Sequence, residues 1–70
     1  MRDWLLEARR NKGMTQLDLA KKLDISEGYY SFIESGDRQK KMDIALAAKL
    51  SVILEIPIET IIGFESNGAE

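Results

Sequence analysis

The sequence contains no cysteine, no histidine and a single proline. Without cysteine there is no disulfide cross-link, no thiol nucleophile and no zinc–thiolate site, and without histidine the commonest general base and metal ligand is missing. Long apolar runs are also missing, because the longest apolar-rich stretch, residues 42–54, includes Lys49 and is too short to cross a bilayer. We therefore expect no metal, no cofactor, no small-molecule ligand and no membrane partner.

Seventy residues are few for one domain, and a second domain is not expected. A chain of this size buries only about 60% of the surface that its unfolded form exposes, which leaves little room for a deep substrate cavity beside a core. No motif pairs a nucleophile with a base, and no glycine-rich phosphate loop follows a strand. The sequence predicts a small cytoplasmic globule that is not an enzyme.

Charge is unevenly distributed along the chain, although the formal net charge is only −2. Residues 1–49 hold all ten Lys and Arg together with eight Asp and Glu, whereas residues 50–70 hold four Glu and no base. A basic first part favours a nucleic-acid partner, because phosphate contacts supply most of the non-specific affinity. On its own, an excess of ten basic over eight acidic residues in residues 1–49 is more typical of an ordinary solvated surface.

Apolar residues recur at helical spacing, and no run alternates with the period of a strand. The pattern predicts an all-α fold, a compact five-helix bundle with short connections. The expected helices are residues 3–12, 16–23, 27–34, 44–54 and 57–63, the last of them ended by Gly63. We expect the domain to span residues 1–64 and a polar, frayed tail to occupy residues 65–70.

Residues at the expected helix ends have the chemistry of caps and turns. Thr15 and Asp18 have the spacing of a capping box, and Ser26 and Asp43 can accept hydrogen bonds from backbone N–H groups in the first turns of later helices. Asp24 tolerates the left-handed backbone that a tight turn requires. These residues predict where the second, third and fourth helices begin.

Residues 15–36 predict a helix, a turn of about three residues and a second helix that lies across the first. Ala20 is small enough to let the second helix cross closely, and Ile25 can fill the angle between the two. Tyr30 and Ile33, three residues apart, can face inward together. The outward face, which is then free to enter a groove, comprises Glu27, Gly28, Tyr29, Ser31 and Phe32.

The same segment resembles a known family. The run Thr15-Gln16-Leu17-Asp18-Leu19-Ala20, continued by Tyr29-Tyr30-Ser31 and Ile33-Glu34-Ser35-Gly36, is similar to the Cro/repressor-type, or XRE-like, helix-turn-helix regulators. The resemblance implies a lambda-repressor-like fold, with the second helix of the motif in the major groove of double-stranded DNA and the first across the backbone. It implies a sequence-specific transcriptional regulator, and more specifically a repressor.

The resemblance also implies which residues contact DNA. Gln16 would hold a phosphate, and Ser26 would cap the reading helix beside the backbone. Arg9 and Glu34 would form an internal ion pair and would not touch DNA. The full set of implied DNA contacts is Thr15, Gln16, Ser26, Glu27, Gly28, Tyr29, Phe32, Ser35, Arg38, Lys40 and Lys41.

Two positions on the outward face depart from the family pattern. Members often have Arg, Lys or Gln where this chain has Glu27 and Phe32. Glu27 can accept from a cytosine amine but repels phosphates, and Phe32 offers only an apolar contact, for instance with a thymine methyl. An alternative function is therefore a protein–protein interaction module that keeps the fold, binds DNA weakly or not at all, and uses Phe32 beside Gly28 as an anchor.

The helix over residues 44–54 is apolar on all sides. At 100° per residue, the side expected to pack inward comprises Ile44, Ala47, Ala48, Ser51 and Leu54. The other side needs a second partner, either the C-terminal segment of the same chain or another subunit across a two-fold axis. The resemblance favours a homodimer on DNA, so we expect a dimer contact made by Leu46, Leu50, Ile53, Ile61 and Phe64.

Overall fold

The structure is a computed structural model and describes residues 1–36 and 42–67. Its helices are α1 (Asp3–Asn11), α2 (Gln16–Leu23), α3 (Glu27–Ser35), α4 (Ile44–Leu54) and α5 (Ile58–Asn67). There is no strand in the described ranges, so the predicted all-α bundle of five helices is confirmed. None of the helices in these ranges has the length and apolar character that crossing a membrane requires.

The predicted caps define the starts of three helices. Thr15 Oγ1 accepts from the Asp18 N–H, and Asp18 Oδ2 accepts from the Thr15 N–H, both at 3.0 Å. Ser26 Oγ accepts from the Tyr29 N–H at 3.1 Å, and Asp43 Oδ1 accepts from a first-turn N–H of α4 at 2.7 Å. The hydrogen bond from the Thr15 backbone lowers the pKa of Asp18, so the box is intact at neutral pH. A cap of this kind stabilises a helix by about 1 kcal/mol.

The turn between α2 and α3 brings the two helices into direct contact. Asp24 adopts the left-handed conformation with φ of 61°, as predicted, and the Ile25 N–H donates to the Ala20 carbonyl at 3.0 Å. Ala20 is fully buried, and Ile25 packs against the core. A small side chain in α2 and an apolar plug in the turn therefore set how closely α3 approaches.

Apolar side chains from all five helices form one core. Burying these side chains together removes their apolar surface from water, which is the main favourable contribution to folding. The buried residues are Leu5, Leu19, Ala20, Leu23, Tyr30, Ile33, Ala47, Leu50, Leu54 and Ile61.

The side of α4 that faces the core matches the predicted one in part. Ala47 and Leu54 are buried as predicted. Leu50, predicted to lie outside, is fully buried, whereas Ile44 and Ala48, predicted to lie inside, are exposed, Ile44 by 76%. Spacing alone does not select a core face when apolar residues surround a helix, so contact with the neighbouring elements decides the rotation. α5 packs against α4 and buries Ile61 completely. The C-terminal segment thus packs on part of α4 within one chain, while Ile44 and Val52 remain exposed.

This packing corrects part of the predicted dimer contact. Leu50 and Ile61 have no accessible surface left for a second subunit, so the prediction for these two residues is wrong. Leu46 and Ile53 are partly buried against the same core. Phe64 is 40% exposed and keeps surface that another molecule could contact.

α5 continues beyond Gly63, where the sequence predicted its end. The domain boundary expected after residue 64 lies inside this helix, and the prediction of a frayed tail is wrong for residues 65–67. Residues 68–70 lie outside the described part. The side chains near the end of α5 explain its length: Glu65 accepts a hydrogen bond from Trp4 Nε1 at 2.8 Å, and Phe64 stacks on Trp4 with ring centroids 5.4 Å apart.

Arg2 is buried and joins three parts of the fold. Its Nε donates to both carboxylate oxygens of Glu65, at 3.0 and 2.9 Å, and its Nη1 donates to the Ile33 carbonyl. Its backbone N–H donates to the Glu34 carbonyl at 2.8 Å. We call Arg2, Trp4, Phe64 and Glu65 the Arg2 clasp, because they tie the N-terminal residues to the ends of α3 and α5.

Replacing Glu65→Ala should lower the free energy of unfolding by about 1–3 kcal/mol, because the buried guanidinium of Arg2 loses its charged acceptor. Urea unfolding followed by circular dichroism measures this change. Glu7→Ala is the matched control, since it removes an exposed carboxylate from α1 and should change stability by no more than about 0.5 kcal/mol. Equal unfolding midpoints for the two variants would contradict the clasp.

Candidate nucleic-acid interface

A buried ion pair fixes α3 against α1. Arg9 Nη2 lies 3.1 Å from Glu34 Oε1, and Arg9 Nε donates to Glu34 Oε2 at 3.2 Å. The two side chains are 10% and 2% exposed, so the pair is almost fully removed from water. The hydrogen bond to the Glu34 carboxylate raises the pKa of Arg9. The internal pair that the family resemblance implied is therefore present, with bidentate geometry.

Two further groups complete the hydrogen bonding of this pair. Arg9 Nη1 donates to the Met14 carbonyl at 2.9 Å, and Gln16 Nε2 donates to Glu34 Oε2 at 3.2 Å. The network joins α1, the turn before α2, the first residue of α2, and α3. Gln16 was expected to hold a phosphate, but its half-buried amide already has an acceptor inside the protein.

The inward side of α3 consists of Tyr30, Ile33 and Glu34, which lie three and four residues apart. All three are buried, which confirms the prediction that Tyr30 belongs to the core. Burial, reinforced by the nearby Glu34 charge, raises the pKa of the Tyr30 phenol, which stays neutral. This side of α3 is fully used by packing and by the ion pair.

The opposite side of α3 faces solvent. At 100° per residue Gly28 lies opposite the buried side, and Phe32 follows it one turn later. Tyr29 and Phe32 are 42% and 41% exposed. Glu27 is exposed as well, in the first turn of α3, although it lies seven residues before Glu34 and therefore on the same side of the helix. We call Glu27, Gly28, Tyr29 and Phe32 the outward α3 surface, because all four are accessible. The structure thus leaves four of the predicted contact residues of α3 accessible.

The other predicted DNA contacts flank this surface or lie outside the described residues. Thr15 and Ser26 are exposed, and their hydroxyl oxygens already accept the capping hydrogen bonds of α2 and α3. Ser35 is half-buried, and its hydroxyl donates to the Phe32 carbonyl at 3.1 Å. The predicted contacts of the segment after α3, namely Arg38, Lys40 and Lys41, lie outside the described residues.

Gly28 sits in the first turn of α3, where the fold does not require glycine. Positive φ angles among the described glycines occur at Gly13 and Gly36, not at Gly28. A Cβ atom built on Gly28 would meet no heavy atom within 4 Å. Glycine within a helix costs about 0.5–1 kcal/mol relative to alanine. Packing therefore gives no reason for a glycine at this position, whereas close approach of another molecule would give one.

The main residue that sequence reasoning missed is Arg2. It was assigned no role, because its side-chain partners lie 31 and 63 residues away and no local pattern marks them. The Met14 carbonyl was missed for the same kind of reason, since backbone acceptors leave no signal in residue type. No group of three or more His, Cys, Asp or Glu side chains within residues 1–36 and 42–67 is arranged to hold a metal ion.

Replacing Glu34→Gln should lower the free energy of unfolding by about 3–5 kcal/mol, because it leaves the Arg9 charge buried without a counter-ion. Thermal unfolding followed by circular dichroism measures the destabilisation. The double variant Arg9→Met with Glu34→Leu should recover much of it, since apolar residues of similar volume often replace a buried pair at little cost. An unchanged melting temperature for Glu34→Gln would show that the pair does not hold α3.

Comparison with known proteins agrees with this geometry. A family model described as "Helix-turn-helix" matches residues 5–61, which include all of α2 and α3. The uncharacterized HTH-type transcriptional regulator YqaF of Bacillus subtilis (strain 168) is 40% identical over 45 residues, which are 64% of this chain and 59% of that protein. The chain thus matches about three fifths of the length of this curated relative. No solved structure matches. Because the family model covers more than half of the sequence, the chain belongs to the XRE-like helix-turn-helix family.

Proposed function

We propose that this protein is a sequence-specific DNA-binding transcriptional regulator, acting as a repressor, that inserts α3 into the major groove. The observation that carries the proposal is the division of α3 into two sides. Its inward side is locked by the Arg9–Glu34 pair, and its outward surface is exposed. Family membership supports this function, as does the name of the Bacillus subtilis relative, a transcriptional regulator of the HTH type.

The dimensions of B-DNA suit this arrangement. The major groove is about 12 Å wide and admits one α-helix. With α3 in the groove, α2 crosses the phosphate backbone, as in other helix-turn-helix proteins. The N-terminal residues Thr15, Gln16 and Ser26 then lie on the side of the motif that faces phosphates, where the positive end of a helix dipole favours anions.

Phosphate affinity must come mainly from outside the outward α3 surface, because that surface carries the acidic Glu27 and no base. We propose that Arg38, Lys40 and Lys41 supply it, since they lie within six residues of the end of α3 in the sequence and are all basic. Tyr29 adds an exposed, uncharged hydroxyl donor on α3. Glu27 weakens non-specific binding by repelling phosphates, so a larger share of the affinity has to come from base contacts.

We also propose that the protein binds DNA as a homodimer. With Leu50 and Ile61 buried, the apolar surface left for a second copy is on the outer side of α4 and at Phe64. Ile44 and Val52, two turns apart on α4, are 76% and 79% exposed. Sedimentation of the parent and of Val52→Glu at equal concentration tests this, and a strict monomer for both would contradict it.

Selection from a pool of randomised duplexes at low salt tests the function directly, and we expect one motif to be enriched. On that motif, replacing Arg38, Lys40 and Lys41 by Ala should flatten the slope of log K against log salt by about 0.9 for each phosphate that the variant no longer binds. A matched control replaces Arg10, Lys12 and Lys49 by Ala. It makes the same change of net charge at exposed positions outside α2 and α3 and should leave the slope near that of the parent.

Failure to enrich any duplex would contradict the proposed function. If pull-down experiments then recovered a protein partner, and Phe32→Ala abolished its binding, the chain would be an interaction module instead of a DNA-binding regulator. The exposed Phe32 beside Gly28 is the feature that such a partner would contact.

Gly28→Ala should stabilise the protein by about 0.5–1 kcal/mol, because the added methyl meets open space and alanine favours the helix. The same methyl should weaken binding to the selected duplex, because it holds α3 away from the base edges. Urea unfolding and fluorescence anisotropy measure the two opposite effects.

Gly63→Ala is the matched control for this variant. Gly63 lies within α5, and a Cβ built there also meets nothing within 4 Å, so the gain in stability should be similar. Its affinity for the duplex should equal that of the parent. If both variants bound DNA as well as the parent, α3 would not approach the DNA at Gly28.

A further inference from the structure

We infer that α3 reads pyrimidines, with Phe32 against a thymine methyl group and Glu27 accepting from a cytosine amine, and that it makes no bidentate contact to a purine. This inference rests on the proposed function and specifies which bases the site recognises. It is carried by the side chains that α3 presents, by the use of Gln16 inside the protein and by the space at Gly28.

α3 lacks the side chains that read purines in the major groove. Its nine residues, EGYYSFIES, include no Arg, Lys, Asn or Gln. Guanine is read in the major groove by Arg or Lys at O6 and N7, and adenine by Asn or Gln at N6 and N7. None of these bidentate contacts can be made from α3. The side chains left for base contact are a carboxylate, two exposed aromatic rings and short hydroxyls.

Gln16 is the side-chain amide nearest to α3 in the motif, and it is already engaged inside the protein. Its Nε2 donates to Glu34 Oε2, the carboxylate that already pairs with Arg9. A bidentate contact from Gln16 to adenine would require this amide to leave Glu34. Such a change would remove a hydrogen bond from the buried pair, which is costly for a charged group out of water. Gln16 is therefore not available for the bidentate adenine contact that α3 itself cannot make.

The surface around Phe32 is open enough for a base edge to come close to the ring. The ring is 41% exposed and lies one turn after Gly28 on the outward side of α3. Because Gly28 has no side chain and the space beside it is open, the helix can approach the base edges closely at this point. The C5-methyl group of thymine is the apolar feature of the major groove. A half-exposed phenyl ring gains most by covering that methyl.

The start of α3 carries a hydrogen-bond acceptor, the carboxylate of Glu27. Glu27 is exposed in the first turn, beside Gly28, and a carboxylate accepts hydrogen bonds without donating any. Cytosine presents its N4 amine as a donor, whereas the adenine amine is flanked by the N7 acceptor and guanine presents two acceptors. Cytosine is thus the base that a carboxylate at this position matches best.

The experiment starts from the duplex obtained by selection and replaces each thymine in a half-site by deoxyuracil, which removes only the methyl group. For the parent protein, at least one replacement should weaken binding by about fourfold, the effect expected for one buried methyl. Phe32→Ala should bind more weakly overall and should lose this penalty. Phe64→Ala removes an equally exposed phenyl from α5 and should keep the penalty, whatever its overall affinity.

The cytosine contact is tested by Glu27→Gln. The amide has almost the same size, but it pairs with adenine N6 and N7. Repeating the selection with this variant should change one position of the motif from cytosine to adenine and leave the thymine preference intact. An unchanged motif would overturn the assignment of Glu27.

The inference and the proposed function fail in different ways. If no duplex is enriched, the proposed function fails. If a duplex is enriched but uracil replacements have no effect, or the penalty persists in Phe32→Ala, DNA binding stands and the reading of thymine by Phe32 is wrong. Replacing purines by their 7-deaza analogues completes the test, because both bidentate purine contacts use N7. A decrease in affinity that Tyr29→Phe abolishes, by removing an exposed hydroxyl donor of α3, would overturn the absence of purine readout from α3.

Discussion

The buried ion pair between Arg9 and Glu34 is the interaction on which the arrangement of α3 depends. Burying two charges costs several kcal/mol per ion unless geometry and further hydrogen bonds compensate. Here the pair is bidentate, and the Met14 carbonyl and the Gln16 amide satisfy further hydrogen-bonding groups. A helix of nine residues is too short to be stable by itself, since about 12 residues are needed in water. The orientation of α3 is therefore set by this network and by the core beneath it.

The fully buried contacts of α3 are made by Tyr30, Ile33 and Glu34 on its inward side. The outward residues Tyr29 and Phe32 keep accessible surface with which another molecule can make contact. Gly28 within a helix disfavours folding, and the exposed Phe32 disfavours solubility. Residues that are unfavourable for folding in this way concentrate at functional sites. The Arg2 clasp adds to the buried contacts of α3, because it holds the end of this helix through the Ile33 and Glu34 carbonyls.

Local chemistry made much of this structure predictable, and long-range contacts account for what was missed. The caps at Thr15, Ser26 and Asp43 depend on neighbours three residues away, so they and the helix starts could be read from the sequence. The rotation of α4 could not, because apolar residues surround it and only its contacts with α2 and α5 select the buried side. The end of α5 was missed because a glycine in a helix can be outweighed by tertiary contacts, here those of Phe64 and Glu65. In the site, the pairing of Arg9 with Glu34 came from the family resemblance. The hydrogen bond from the Gln16 side chain to Glu34 could not be predicted from the sequence and was seen only in the structure.

The central claim is that the outward α3 surface is the part of this protein that meets DNA. Amide chemical shifts recorded by NMR as the selected duplex is added test it most directly, because they report on every backbone N–H at once. We expect the largest changes at Gly28, Tyr29 and Phe32, with small changes at Leu50 and Leu54 on the core side of α4. Large changes along α4 and α5 with an unperturbed α3 would contradict it.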